Sequence, residues 1–97
     1  MNLRKLANGQ PCLVRLPCCD GGGETTTLAH YRLAGYCGMG LKPPDVLGAF
    51  ACSSCHDAID GRRQLDDHNH DQILLAHANG CLRTAVFVLE MRGRMNG

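Results

Sequence analysis

Apolar residues in the C-terminal third of the chain recur at helical steps. Leu74, Ala78, the adjacent pair Cys81 and Leu82, Ala85 and Leu89 follow one another at three- and four-residue steps, the repeat that lines one face of a helix, and they predict a helix over 71–91. Gly80 falls inside it. A glycine there costs about 1 kcal/mol against alanine, which leaves room for a break or kink. Upstream, 13–16 and the β-forming run 25–32 (TTTLAHYR) predict two short strands. The loop between them holds three glycines at 21–23, so the pair reads as an antiparallel hairpin. Residues 1–11 are polar, end at Pro11 and read as a lead-in. The glycine- and proline-rich stretch 35–44 is a loop, and 44–47 opens a short helical turn. Residues 53–62 start on serine and carry a glycine near their end, which suits a short helix. A polar linker, 64–70, leads into the last helix. The expected class is α+β.

Length bounds the chain to one domain, 1–97. Ten basic and nine acidic side chains give a net charge of +1, so no global basic field marks it for non-specific nucleic-acid binding. No run of 18 apolar residues occurs, so no membrane span is predicted. Residues 1–6 lack the apolar run of a secretion signal, and a small, soluble, cytoplasmic protein is expected.

The seven cysteines change the picture. A domain this small buries too little surface to be stable on its core alone and often needs a staple. In a reducing compartment that staple is a metal rather than disulfides. Cys52 and Cys55 form a CxxC pair ahead of a helix, a spacing at which two thiolates share one zinc ion. Cys12 and the neighbours Cys18 and Cys19 flank the first predicted strand. A cysteine before that strand and one after it would complete four thiolates. Four thiolates and a divalent ion lower the formal charge by two, so any nucleic-acid surface must be a local patch. Buried inert thiols are the plain alternative; a redox CxxC would want a βαβ pattern that is absent. Cys81 reads as core, and Cys37, in the glycine loop, is ambiguous.

A second constellation is suited to hydrolysis. His56 and Asp60 lie at i and i+4, one helix face, and can chelate one divalent cation. His30 ends the second predicted strand, with Arg32 on the same strand face. A neutral imidazole there can take a proton from water while a cation polarises a phosphate. Arg32 can hold a phosphate oxygen. Singly, each has a plainer reading: a satisfied structural histidine, a solvated helix pair. Their order joins them: histidine, glycine/proline loop, CxxC followed by histidine, then an acid.

In that order the segments AHYRL, CGMGLKPPD and ACSSCHDAID resemble the HNH, or His-Me finger, nucleases, and more closely the YbcO-like prophage nucleases. The resemblance runs from Leu3 through Asp60 and includes LRK at 3–5, C-x-V-R-x-P from Cys12, LAH-x-RL from Leu28, and KPPD at 42–45. It implies a small zinc-stapled ββα-metal core over about 11–63, with an added C-terminal helix over about 70–92. In the family pattern a cysteine stands eleven residues before the LAH histidine, here Cys19, so the implied zinc ligands are Cys12, Cys19, Cys52 and Cys55. His30 is implied as general base, with Asp45 in the middle position of the motif to fix the loop or orient the base. His56 and Asp60 are implied ligands of a catalytic Mg2+ or Mn2+, with Arg32 and Lys42 as phosphate contacts. Where many HNH enzymes carry Asp or His before the base, this chain has Ala29, implying a sparse protein shell for that cation.

Arg62 and Arg63, just after the short helix, either grip a nucleic-acid backbone or are solvated charges favoured by the helix dipole. The polar run 66–71 is either a second metal site or a solvated linker. His77, near the apolar face of the last helix, reads as structural, and Arg92 and Arg94 as tail contacts to phosphate. The functional expectation is a metal-dependent endonuclease acting on DNA, of prophage origin. The alternative is a catalytically silent zinc-binding adaptor for DNA or protein in a phage recombination or packaging complex. The last helix offers a face for a homodimer or a phage-protein partner.

Overall fold

The computed structural model describes residues 2–31 and 44–96, with side chains as far as residue 93. Arg32, Cys37 and Lys42, with most of the expected loop 35–44, lie outside the described residues. The elements are α1 (Leu3–Ala7), β1 (Thr27–His30), a 3-10 turn (Asp45–Leu47), β2 (Gly48–Ala51), α2 (Ser53–Ile59) and α3 (His70–Asn96). This is a small α+β arrangement of a two-stranded sheet and three α-helices.

The expected lead-in contains a helix. The Asn2 side chain accepts from the amides of Arg4 and Lys5, 3.1 and 3.2 Å away, and so caps α1. Leu3 and Leu6 then pack against the cluster of Ala7, Leu13, Leu28 and Phe50. Five residues carry too little periodicity to stand out in the sequence.

The expected hairpin is also corrected. β1 pairs antiparallel not with 13–16 but with β2, in the register Thr27 to Ala51 and His30 to Gly48. β2 reads Gly-Ala-Phe-Ala and is wholly buried. Alanine and glycine are depleted in strands, so propensity does not mark it. Segment 13–16 meets the sheet once, where the Leu13 amide donates to the Phe50 carbonyl over 2.8 Å. Arg15 then takes φ +62°, the left-handed region, and the chain curls away. Cys12, Leu13, Val14 and Leu16 are all buried, so the alternation of a strand is lost. The glycine loop folds back over Cys12. A Cβ on Gly22 would sit 2.4 Å from both the Cys12 nitrogen and Thr26 Oγ1, and its φ is +84°.

α3 runs unbroken through Gly80 and covers the sheet. Its inner face differs from the predicted stripe. Leu82 and Leu89 are two-thirds exposed and Leu74 is exposed as well. The face that packs is Ile73, Ala76, His77, Gly80, Cys81, Thr84 and Phe87. It holds polar residues because it satisfies sheet backbone. His77 Nε2 donates to the Ala29 carbonyl (2.9 Å), and Thr84 Oγ1 accepts from the Phe50 amide (3.0 Å) while donating to the Gly80 carbonyl (2.7 Å). Arg83 donates to the Leu13 carbonyl over 2.8 Å. Apolar periodicity cannot see such a face. The helix is long and apolar enough to cross a membrane, against the expectation from the sequence. Its polar anchors bind it to this sheet, and unmaking them would strand buried partners.

Gly80 is therefore a close-approach residue rather than a kink. A Cβ would lie 2.8 Å from Val14 Cγ2 and 3.3 Å from Ala49 Cβ. Gly80→Ala should lower stability by about 1–2 kcal/mol, overpacking outweighing the helix-propensity gain; a raised urea midpoint would refute this. His77 is 2% exposed, and burial pushes its pKa below the ordinary value despite the Ala29 bond. The unfolded chain takes up a proton near pH 6.5 where the folded one resists, so stability is full above that pH and falls as pH drops through it. His77→Gln should flatten the fall in urea midpoint between pH 7.5 and 5.5 relative to wild type.

Candidate functional site

Four sulfur atoms meet beneath the sheet. Single ligand atoms of Cys12, Cys19, Cys52 and Cys55 all lie within 4.8 Å of one another, and among the described residues no other such cluster occurs. Bonds of about 2.3 Å in a tetrahedral zinc site put sulfurs about 3.8 Å apart. Cys19 Sγ and Cys52 Sγ are 3.9 Å apart, so the donor set fits. The four can hold a metal ion such as zinc. Cys18, the neighbour of Cys19, stands aside and donates to the Ser54 carbonyl.

The surrounding backbone is turned toward these sulfurs. The Cys52 sulfur accepts from the amides of Cys55 (3.4 Å) and Asp20 (3.5 Å), and the Cys19 sulfur from Gly21 (3.3 Å). A bond from the Cys55 thiol, above all, lowers the Cys12 pKa to about 4, helped by the amides of Arg15, Cys52 and Val14. Burial and the Cys12 charge push Cys19 up to about 11. Cys55 is pushed up by the bond it gives Cys12 and by burial. Crowded thiols yield one thiolate readily and resist the next, which a divalent cation would reverse.

The second group lies on β1, the 3-10 turn and α2. His30 ends β1, and its Nε2 is 2.7 Å from Asp45 Oδ1 in the 3-10 turn. A carboxylate only accepts, so Nε2 carries the proton and Nδ1 of the neutral ring keeps the lone pair. Arg4 of α1 donates to the same Asp45 oxygen over 3.3 Å. The His30 bond first, and the Arg4 charge after it, hold the Asp45 carboxyl below the usual range. Arg4 was missed by sequence reasoning, since nothing short of the fold links residues 4 and 45.

On α2, His56 Nε2 and Asp60 Oδ2 are 3.5 Å apart, both about one-third exposed. Two ligands of one cation at bonds of about 2.1 Å lie about 3 Å apart, so a small adjustment would let the pair share an ion. The other ring nitrogen, Nδ1, is 2.8 Å from Thr27 Oγ1 at the start of β1. With Nε2 free to bind a metal, Nδ1 carries the proton and donates to the hydroxyl, which fixes the ring. Thr27 is a second residue that sequence reasoning missed. It is three residues from His30, about 10 Å along the strand. From α3, His77 stands within electrostatic reach of His56, Asp60 and His30.

Ala29 is buried and offers no ligand. Arg62 pairs with Asp60 (3.2 Å) and Asp57 (3.7 Å), which leaves it exposed and movable. Arg63 is exposed beside a recess of about 310 Å3 that it lines with Pro17, Cys18 and His68. In the polar run, Asn69 and Gln72 exchange side-chain bonds with each other's amides at 2.8 and 2.9 Å, a capping box that starts α3.

The profile of the family described as "Putative nuclease YbcO" matches residues 1–93 of the chain. A relative described in the same words, from Escherichia coli (strain K12), is 54% identical over 67 residues, 68% of this chain and 70% of its own length. One from Enterobacteria phage 82 matches to the same extent. A solved structure, described as a putative bacteriophage protein from Escherichia coli str. K-12 substr. MG1655, superposes with a TM-score of 0.73 at 38% identity, covering 91% of this chain and 96% of that one. A profile match over nearly the whole length, together with relatives 54% identical over 67 residues, places the chain in the YbcO family.

Proposed function

We propose that this chain is a metal-dependent endonuclease of the ββα-metal, His-Me finger type, hydrolysing phosphodiester bonds in DNA. The observation that carries the reading is the 2.7 Å bond between His30 Nε2 and Asp45. In the neutral ring this bond places the proton on Nε2 and the lone pair on Nδ1, on the strand that also contacts His56. The names of the relatives support a nuclease in general, and their phage and bacterial sources a prophage setting.

In this reading His30 Nδ1 takes a proton from water as the oxygen attacks phosphorus. Asp45 orients the ring and stabilises the imidazolium that forms. The His30 bond, with Arg4 beside it, favours the ionised form of Asp45. A Mg2+ or Mn2+ ion on His56 and Asp60 would supply charge stabilisation at the phosphate and the leaving 3′-oxygen. Arg62 releases Asp60 to that role and, with Arg63, turns to phosphate. Arg32 and Lys42 are further phosphate contacts. Cys12, Cys19, Cys52 and Cys55 would hold zinc, which would clamp the 12–19 segment to the start of α2 and so set the position of His56. The buried Ala29, which denies the ion a ligand from β1, favours a second reading: a zinc-stapled adaptor that binds DNA or a phage protein without cutting.

Supercoiled plasmid with Mg2+ or Mn2+ separates the two. His30→Ala should slow nicking by about 100-fold or more with DNA binding retained; nicking unchanged by the substitution would remove His30 as base, and no nicking with any cation would favour the adaptor. For the staple, the purified chain should carry one equivalent of zinc by elemental analysis. Cys19→Ser should lose it and Cys18→Ser keep it; the reverse pattern would reassign the fourth ligand.

A further inference from the structure

α3 carries apolar residues on two faces. One packs on the sheet through Ile73, Gly80 and Phe87. On the other, Leu75, Leu82 and Leu89 recur every seven residues and are 63%, 66% and 67% exposed. Ala78 and Ala85 lie beside them, three residues or nearly one turn on, at the same spacing. Leucine at strict seven-residue steps, with small residues alongside, is the seam by which two helices pack together. Among the described residues, nothing in the fold of one chain requires a second leucine repeat on the side away from the sheet.

We propose that this seam is an interface with a second copy of the chain, the two α3 helices packed antiparallel about a two-fold axis near Leu82. Three observations choose this occupant. First is area. With Leu74 and Val86, the exposed leucines offer on the order of 500–600 Å2 of apolar surface per copy, and the flanking residues bring it toward the roughly 800 Å2 per partner of a stable interface. Second is charge. Asp71 begins the helix and Arg92 lies near its end, on the leucine side of α3. Antiparallel packing sets each Asp71 near the Arg92 of the other copy and opposes the helix dipoles, whereas parallel packing sets like against like. Third is self-complementarity. About that axis Leu82 meets its own copy, and Leu75 meets Leu89 of the second copy, as a two-fold interface demands. Beside Leu89 lies an apolar recess of about 170 Å3, lined by Leu3, Val46, Ala85 and Val88. It is open to a side chain from the second helix.

The proposal does not rest on the nuclease reading, because mass alone tests it. Sedimentation equilibrium of the full chain at tens of micromolar should give twice the 10.5 kDa chain mass. Leu82→Glu, at a position that touches no core residue, should weaken the dimer by about 100-fold or more with the circular dichroism of the fold unchanged. Asp71→Arg should weaken it and Asp71→Arg with Arg92→Asp restore it. A monomer at these concentrations would overturn the proposal, as would a dimer indifferent to Leu82→Glu. A dimer indifferent to Asp71→Arg would overturn the antiparallel arrangement. Binding to neutral phosphatidylcholine vesicles, lost in Leu82→Glu, with no dimer in solution would overturn it in favour of a lipid surface.

Discussion

Four sulfurs drawn to within 4.8 Å of one another organise the rest of this structure. Sulfurs so close need hydrogen-bond donors, and the chain supplies them from its own amides. The 12–16 segment bends through Arg15 so that amides aim at Cys12 rather than along a strand ladder. The glycine loop turns so that the amides of Asp20 and Gly21 reach Cys52 and Cys19. Cys52 then caps α2, its sulfur accepting from the Cys55 amide. Three distant stretches are thus positioned by one requirement, and the helix that carries His56 leaves the cluster in a set direction.

The sheet and α3 divide the remaining work. β2 is too poor in large side chains to make a core alone, so α3 closes over it through Gly80, Thr84 and Phe87. Polar bonds do more of that docking than leucines do. His77 both holds the Ala29 carbonyl and stands within the field of His30, His56 and Asp60. A residue that reads as purely structural from its place on a helix is also the electrostatic neighbour of three of the candidate catalytic groups, His56, Asp60 and His30.

What the sequence shows of this protein follows the locality of each signal. The CxxC pair, the i, i+4 pair of His56 and Asp60, the short turn at 45–47 and the last helix rest on neighbouring residues, and each is legible. The choice of Cys19 over Cys18 came from a resemblance, and the cluster contains Cys19. What failed was non-local or chemically disguised. A Gly-Ala-Phe-Ala strand has no propensity to announce it. Residues 13–16 have strand composition but answer to sulfur. The leucines of α3 have core composition and face outward, while histidine and threonine face in. Arg4 and Thr27 join the site through contacts 41 and 29 residues away in the chain.

The three glycines at 21–23 look like one stretch of interchangeable spacer. All three take positive φ, yet only the middle one has atoms crowded against the space of a side chain. At 21 and 23 an asparagine meets only the modest strain of the left-handed region. At 22 any side chain collides with the amide of Cys12. The information content of this run is therefore concentrated in a single position. Evolutionary drift has freedom on either side of it and none at its centre, where one added methyl group would meet the backbone of Cys12, one of the four clustered cysteines.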